Sequence, residues 1–275
     1  MNRAKFILSY IFGFIASTLI SILVILLIGK FTILNIKYVE SVLVKNNYYK
    51  EVYKGAYEEI ENYMVSSGLE DVVLDKIFSE NDIKRDINNY LEALYRGESY
   101  KVDSSFLNKK LSENIDNYLV SNNFDVEDRH ELDLFISDVC NIYEKEVTFY
   151  GSFKLLNKYI NFGIDNINGL IILVSELSII CILTILILGN NIISSSIMSS
   201  GLILLFIRVM IYEKVDIKNI MIISNYFSES LKYILNRIGY TLLASSILLI
   251  VIGLIISIIE LVGKKESLNY KKELC

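Results

Sequence analysis

"LGNNIISSS", Leu188–Ser196, separates two apolar runs, and its reading decides the fold. One continuous helix through both runs would need about 40 residues, roughly twice what a bilayer core takes at about 20 residues per crossing. Gly189, Asn190 and Asn191 tolerate the left-handed backbone of a tight turn. The expected structure is therefore a hairpin of two membrane spans.

Outward from this turn, four stretches are long and apolar enough to cross a bilayer: Phe6 to Gly29, Gly169 to Gly189, Ile192 to Tyr212 and Tyr240 to Gly263. The composition agrees. Of 275 residues, 53% are hydrophobic and the mean hydropathy is +0.43, against about 45–50% apolar content in soluble domains. Proline is absent, which removes the commonest helix breaker and predicts an almost wholly helical chain. Heavy use of Ile, Asn, Lys and Tyr, with no Trp and one His, fits an AT-rich bacterial genome. Three widely spaced cysteines, Cys140, Cys181 and Cys275, form no disulfide framework or metal-ligand pair.

Arg3 and Lys5 precede the first run, while Lys264, Lys265, Lys271 and Lys272 follow the last. The positive-inside rule places both termini in the cytoplasm of a multi-pass cell-membrane protein. The first run exceeds a signal-peptide core and ends on no A-x-A site, so it is expected to stay as a signal anchor. Residues 30–168 carry sixteen Lys and Arg against twenty-five Asp and Glu, which suits a translocated segment. The predicted fold class is all-α: four transmembrane helices with a helical-bundle extracytoplasmic domain between the first two. In chain order the divisions are 1–29 (N-terminus and first span), 30–168 (outer domain), 169–212 (the hairpin), 213–239 (an amphipathic helix on the outer interface or on the outer domain) and 240–275 (fourth span and tail).

Within the outer segment, Val42, Tyr49, Val52, Tyr53, Ala56, Ile60 and Met64 recur at helical spacing and predict one helix ended by Gly68. A second helix should start at Ser79, bury Ile83, Ile87, Tyr90, Leu91 and Leu94, and stop at Gly97. A third should be capped by Asp103 or Ser104 and present Phe106, Leu107, Leu111, Ile115 and Leu119. Asp125 should cap a fourth that runs from Val126 through Ile160 toward the second span. These stripes are what bundle packing requires.

The acidic stretch "DVEDRHELD", Asp125–Asp133, holds the only histidine, His130. It lacks the ligand order and the sixth-place glycine of an EF-hand, and is read as the charged first turn of a helix. A second histidine is missing, which excludes HExxH chemistry and leaves little room for the usual hydrolase triads. No phosphate-binding glycine loop, nucleophile elbow or metal box occurs, so no cofactor, metal or catalytic residue is expected. Basic patches for nucleic acid are absent too.

Inside the spans, Glu176 and Arg208 stand out, because intramembrane charges are costly and usually paired. Counted from the turn they fall at similar depth, which predicts an ion pair locking the hairpin. Small residues spaced for close helix contact are Gly13, Ser17 and Ser21 in the first span, Ser196 and Ser200 in the third, and Gly253 and Ser257 in the fourth.

The function expected from these features is a non-enzymatic sensor, docking or scaffolding component that acts through its outer domain on a protein partner, with the bilayer as its other partner. A transport-linked subunit is the alternative. Four spans with a large domain between the first two is similar to the layout of FtsX-like permeases, although the Gly189–Asn191 turn has no room for a coupling helix. A channel or holin-like pore lined by the serines of the third span is a further alternative.

Overall fold

The computed structural model describes residues 3–65, 67, 69–124, 129–148, 152–188, 192–214 and 225–273, with side chains at all of these but 152–159, 214, 225–227 and 264–273. The described residues form nine α-helices, one 3-10 turn and no strand. They are α1 Arg3–Phe31, α2 Ile36–Lys45, α3 Tyr48–Met64, the turn Asp71–Leu74, α4 Glu80–Arg96, α5 Ser105–Ser121, α6 His130–Val147, α7 Ser152–Leu188, α8 Ile193–Lys214 and α9 Asn225–Glu273. The chain divides into two units. Unit 1 comprises Met1–Leu34, Ile164–Asn219 and Ile234–Cys275; unit 2 comprises Asn35–Gly163 and Ile220–Tyr233.

Unit 1 holds four helical stretches long and apolar enough to cross a membrane: Arg3–Phe31, Ile160–Leu188, Ile193–Glu213 and Ser228–Gly263, the second and fourth beginning in unit 2. Their relative directions follow from which residues meet. On α1, Ala16 packs with Cys181 and Ile185 of α7, while Lys30 Nζ donates to Asn168 Oδ1 at 2.8 Å, so these two helices run antiparallel. Ser21 Oγ donates to the carbonyl of Ser200 at 3.2 Å and Ile28 packs with Leu204, so α1 and α8 run parallel. Ser246 Oγ donates to the Gly201 carbonyl at 2.8 Å and Ser194 Oγ to Glu260 Oε2 at 3.0 Å, which sets α9 antiparallel to α8. The four helices thus alternate in direction along the chain.

Unit 2 is built on amphipathic helices whose apolar faces meet in one core. Val52, Ala56, Ile60 and Met64 of α3 are buried, with Ile83, Ile87, Leu91 and Leu94 of α4, Leu107, Leu111 and Ile115 of α5, and Phe135, Val139, Tyr143 and Val147 of α6. At about 25 cal/mol per Å² of apolar area removed from water, this burial is the main term that stabilises the unit. The segment after α3 adds Val73, Leu74, Ile77 and Phe78 to the core, although it is not a regular helix. Asn114 of α5 fixes that segment, donating from Nδ2 to the carbonyls of Val73 and Asp75 at 2.9 and 3.0 Å.

The boundaries of α4 match expectation. Ser79 and Asp82 form a reciprocal capping box, and Gly97 closes the helix at φ 72°, a left-handed conformation that costs glycine little. Three sequence expectations differ from the structure. The helix predicted through Val42 to Met64 is two helices, because Asn47 adopts φ 52° and breaks the ladder between α2 and α3. The helix predicted from Val126 through Ile160 ends at Val147 with Thr148 as its C-cap, and a new helix begins at Ser152. The amphipathic helix predicted for 213–239 is not separate from the fourth span: from Asn225 onward one helix continues past Gly239 to Glu273. The turn at Gly189–Asn191, the stop at Gly68 and the cap at Asp125 lie outside the described residues.

Candidate functional site

A polar cleft of about 630 Å³ opens in unit 2 between the start of α5 and one face of α6. Ser137, Cys140, Asn141 and Glu144 recur at three- and four-residue steps, so one stripe of α6 forms a wall. The other wall is Lys101, Asp103, Ser104, Ser105 and Asn108. Asp103 Oδ1 accepts from the Ser105 backbone N–H at 3.1 Å, and the hydrogen bonds from Ser105 hold its carboxyl below the usual carboxylate range. Ser104 makes no side-chain cap; its hydroxyl instead donates to Glu144 Oε1 at 2.7 Å across the cleft.

A network centred on a buried carboxylate braces the helices that carry the cleft. Asp86, only 3% exposed, accepts from Arg85 Nε at 2.8 Å, from Arg85 Nη2 at 3.2 Å and from the Tyr143 hydroxyl at 2.7 Å. Arg85 Nη1 also donates to Asp82 Oδ1 at 3.0 Å, which ties the network to the cap of α4. The Arg85 guanidinium lies 5.1 Å from the centre of the Phe106 ring, and Phe106 meets Tyr143 edge to face. Asp86 thus joins α4 to α6, and the Phe106 ring brings in α5 through Arg85 and Tyr143. Burial, then the bond to Asp86, push the Tyr143 phenol well above its usual range, and the bond to Asp86 likewise raises the Arg85 guanidinium.

Chemically the cleft offers hydroxyls, carboxamides, two carboxylates and one ammonium, which suits recognition of a polar ligand or polar side chains. Burial raises the Cys140 thiol, so it stays protonated and weakly nucleophilic near neutral pH. None of these residues was singled out from the sequence as a site. A signal was available for Asp86, which stands three residues after Ile83 and one before Ile87, on the apolar stripe of α4, where a charge needs a partner.

Of the small residues named from the sequence, Gly13, Ser21, Ser196, Ser200 and Gly253 sit at helix contacts of unit 1. A Cβ on Gly13 would stand 2.9 Å from Ser196 Oγ, and one on Gly253 would stand 2.9 Å from the Ser194 carbonyl. Ser17, Ser21, Ser196 and Ser200 are buried, and Ser257 is half-buried. Three residues not anticipated take part: Gly201, Ser246 and Ser194 close the contact of α8 with α9.

Glu176 and Arg208 are not brought together: among the described residues no ion pair within 4.0 Å includes either. Register explains it. Arg208 lies one turn beyond Leu204, which packs with Ile28, whereas Glu176 lies eight residues into α7 from Asn168, the partner of Lys30. At about 1.5 Å per residue the two differ in depth by roughly 15 Å. Glu176 is exposed on α7, and Arg208 instead stacks its guanidinium 4.9 Å from the centre of the Tyr212 ring. In the stretch "DVEDRHELD", residues 125–128 lie outside the described residues; Glu131 and Asp133 occupy the first turn of α6, and Arg129 pairs with Asp116 at 2.7 Å. Among the described residues no group of three or more His, Cys, Asp or Glu side chains is placed to hold a metal ion.

Comparison of the chain with protein-family models, with curated proteins and with solved structures gives no match.

Proposed function

We propose that this chain is a multi-pass membrane protein with both termini cytoplasmic, whose unit 2 lies on the extracytoplasmic side and docks a protein partner without catalysis. The observation that carries the reading is the polar cleft of unit 2, walled by hydrogen-bonding side chains of α5 and α6. Charge supports the orientation: Arg3, Lys5, Lys264 and Lys265 flank one end of the alternating helices. Serine bonding supports anchoring over a pore. Ser17, Ser21, Ser178, Ser196 and Ser200 all donate to carbonyls within their own helices, which leaves these hydroxyls engaged in packing.

The test is site-specific photocrosslinking in intact cells, with the crosslinker at Asn108 or Asn141 on the cleft or at Glu58 elsewhere on unit 2. A discrete adduct from the cleft positions that is absent from Glu58 supports docking there. Adducts from none of the three positions, or equal adducts from all, count against it.

A further inference from the structure

Arg208 is the one described arginine or lysine inside the apolar window of α8, and no described carboxylate pairs with it. Its Nε is sealed from solvent and has no hydrogen-bond partner, and no carboxylate of the described residues lies within 4.0 Å of the guanidinium. A bare guanidinium at the edge of a hydrocarbon layer is costly, and such charges face water, another charge or a ligand. The face that carries Arg208 opens toward the helix end: Leu204, one turn before it, is fully buried, whereas Tyr212, one turn after it, is 59% exposed, as a residue turned to lipid is.

Depth identifies the ligand class. Arg208 is one turn beyond the layer of Ile28, Leu204 and Leu242, toward the end of the bundle where Lys30 meets Asn168. Arg237 stands five residues from Leu242 toward the same end, so three cations from three helices fall within about two turns of one level. Among the described residues of unit 1, the carboxylates at that end are Asp165 and Glu213, both exposed and neither within 4.0 Å of Arg208. Tyr212, an aromatic with a polar tip, marks the interfacial zone where headgroups lie. A planar guanidinium donates two parallel hydrogen bonds to a phosphate, a match that lysine lacks.

We infer that Arg208, braced by Tyr212, binds the phosphate of an anionic glycerophospholipid in the leaflet at the Lys30 end of the bundle. The inference rests on the membrane-spanning reading of the four helices. The lipid phosphate supplies the counter-charge that Glu176 does not.

The test uses the full chain in nanodiscs of phosphatidylcholine with or without phosphatidylglycerol, after an alkaline carbonate wash of the source membranes. Native mass spectrometry reads the lipid retained. Wild type should retain phosphatidylglycerol over phosphatidylcholine, Arg208→Gln should reduce that preference about tenfold, and Arg208→Lys should keep part of it. Equal lipid retention by wild type and Arg208→Gln overturns the site. Wild type alone decides the matter if the variant does not fold: phosphatidylglycerol should raise its melting temperature, and no rise overturns the site. Displacement of the retained lipid by millimolar inorganic phosphate would assign the pocket to free phosphate and overturn the lipid assignment. Release of the chain by carbonate would instead defeat the membrane reading itself.

Discussion

The Tyr143 hydroxyl donates to Oδ2 of Asp86 at 2.7 Å, joining α6 to α4 inside the core of unit 2. Truncating either partner leaves the other polar group buried without its bond. Tyr143→Phe should lower the stability of the full chain by about 1–3 kcal/mol, and Asp86→Ala by about the same or more, since it also strips a partner from the half-exposed Arg85. Denaturant melts followed by circular dichroism check both. A Tyr143→Phe melt identical to wild type would show that the bond contributes nothing.

Burial, together with the same bond, makes unit 2 sensitive to alkali. The folded-state pKa of Tyr143 is raised, so the neutral phenol is favoured by folding. That contribution is complete below the unfolded value of about 10 and is lost as pH rises above it toward the folded value. Wild type should lose stability above about pH 10 more steeply than Tyr143→Phe. Parallel pH profiles for the two chains would refute this.

Glycines in unit 1 should divide sharply. An added Cβ at Gly201 would meet the Ser246 carbonyl at 2.8 Å and Ile250 N at 3.2 Å, backbone atoms that cannot move aside. Gly201→Ala should therefore cost about 1–3 kcal/mol. Gly239 has nothing within 4 Å, so Gly239→Ala should be neutral or stabilising by up to about 1 kcal/mol through helix propensity. Thermal melts in one detergent compare them directly, and a reversed order would refute the α8–α9 contact.

Asn47 holds a positive φ of 52° between α2 and α3. Asn47→Gly should be tolerated, and Asn47→Val should destabilise by about 1–2 kcal/mol, because a β-branched side chain resists that backbone. If Asn47→Val leaves stability unchanged, the two helices are joined more loosely than described.

Glu176 and Arg208 sit at different depths, so a double-mutant cycle through Glu176→Gln and Arg208→Gln should give a coupling below about 0.5 kcal/mol. A larger coupling would restore the pair expected from the sequence.

The spans and the caps of α4 were legible because apolar length, a capping serine and a left-handed glycine each act locally. Asn47 was not legible, since the apolar spacing from Val42 to Tyr49 stays in helical phase across it. The boundary expected at Gly239 followed a real change from amphipathic to apolar sequence. That change alters what surrounds the helix and not its backbone bonding, so α9 continues through it. The ion pair failed because depth counted from a turn ignores how neighbouring helices set their register. The cleft was hidden for a related reason: Ser104 and Glu144 are 40 positions apart and meet only once the core has formed.

The hydroxyls of Ser17, Ser21, Ser196 and Ser200 each bond a carbonyl three or four residues earlier on the same helix. For these four serines polar satisfaction is therefore local to the helix, as hydrocarbon demands of any segment that enters it alone. Biosynthetic insertion can then proceed span by span, with no need to hold α1 in a protected channel until α8, some 160 residues later, has been made.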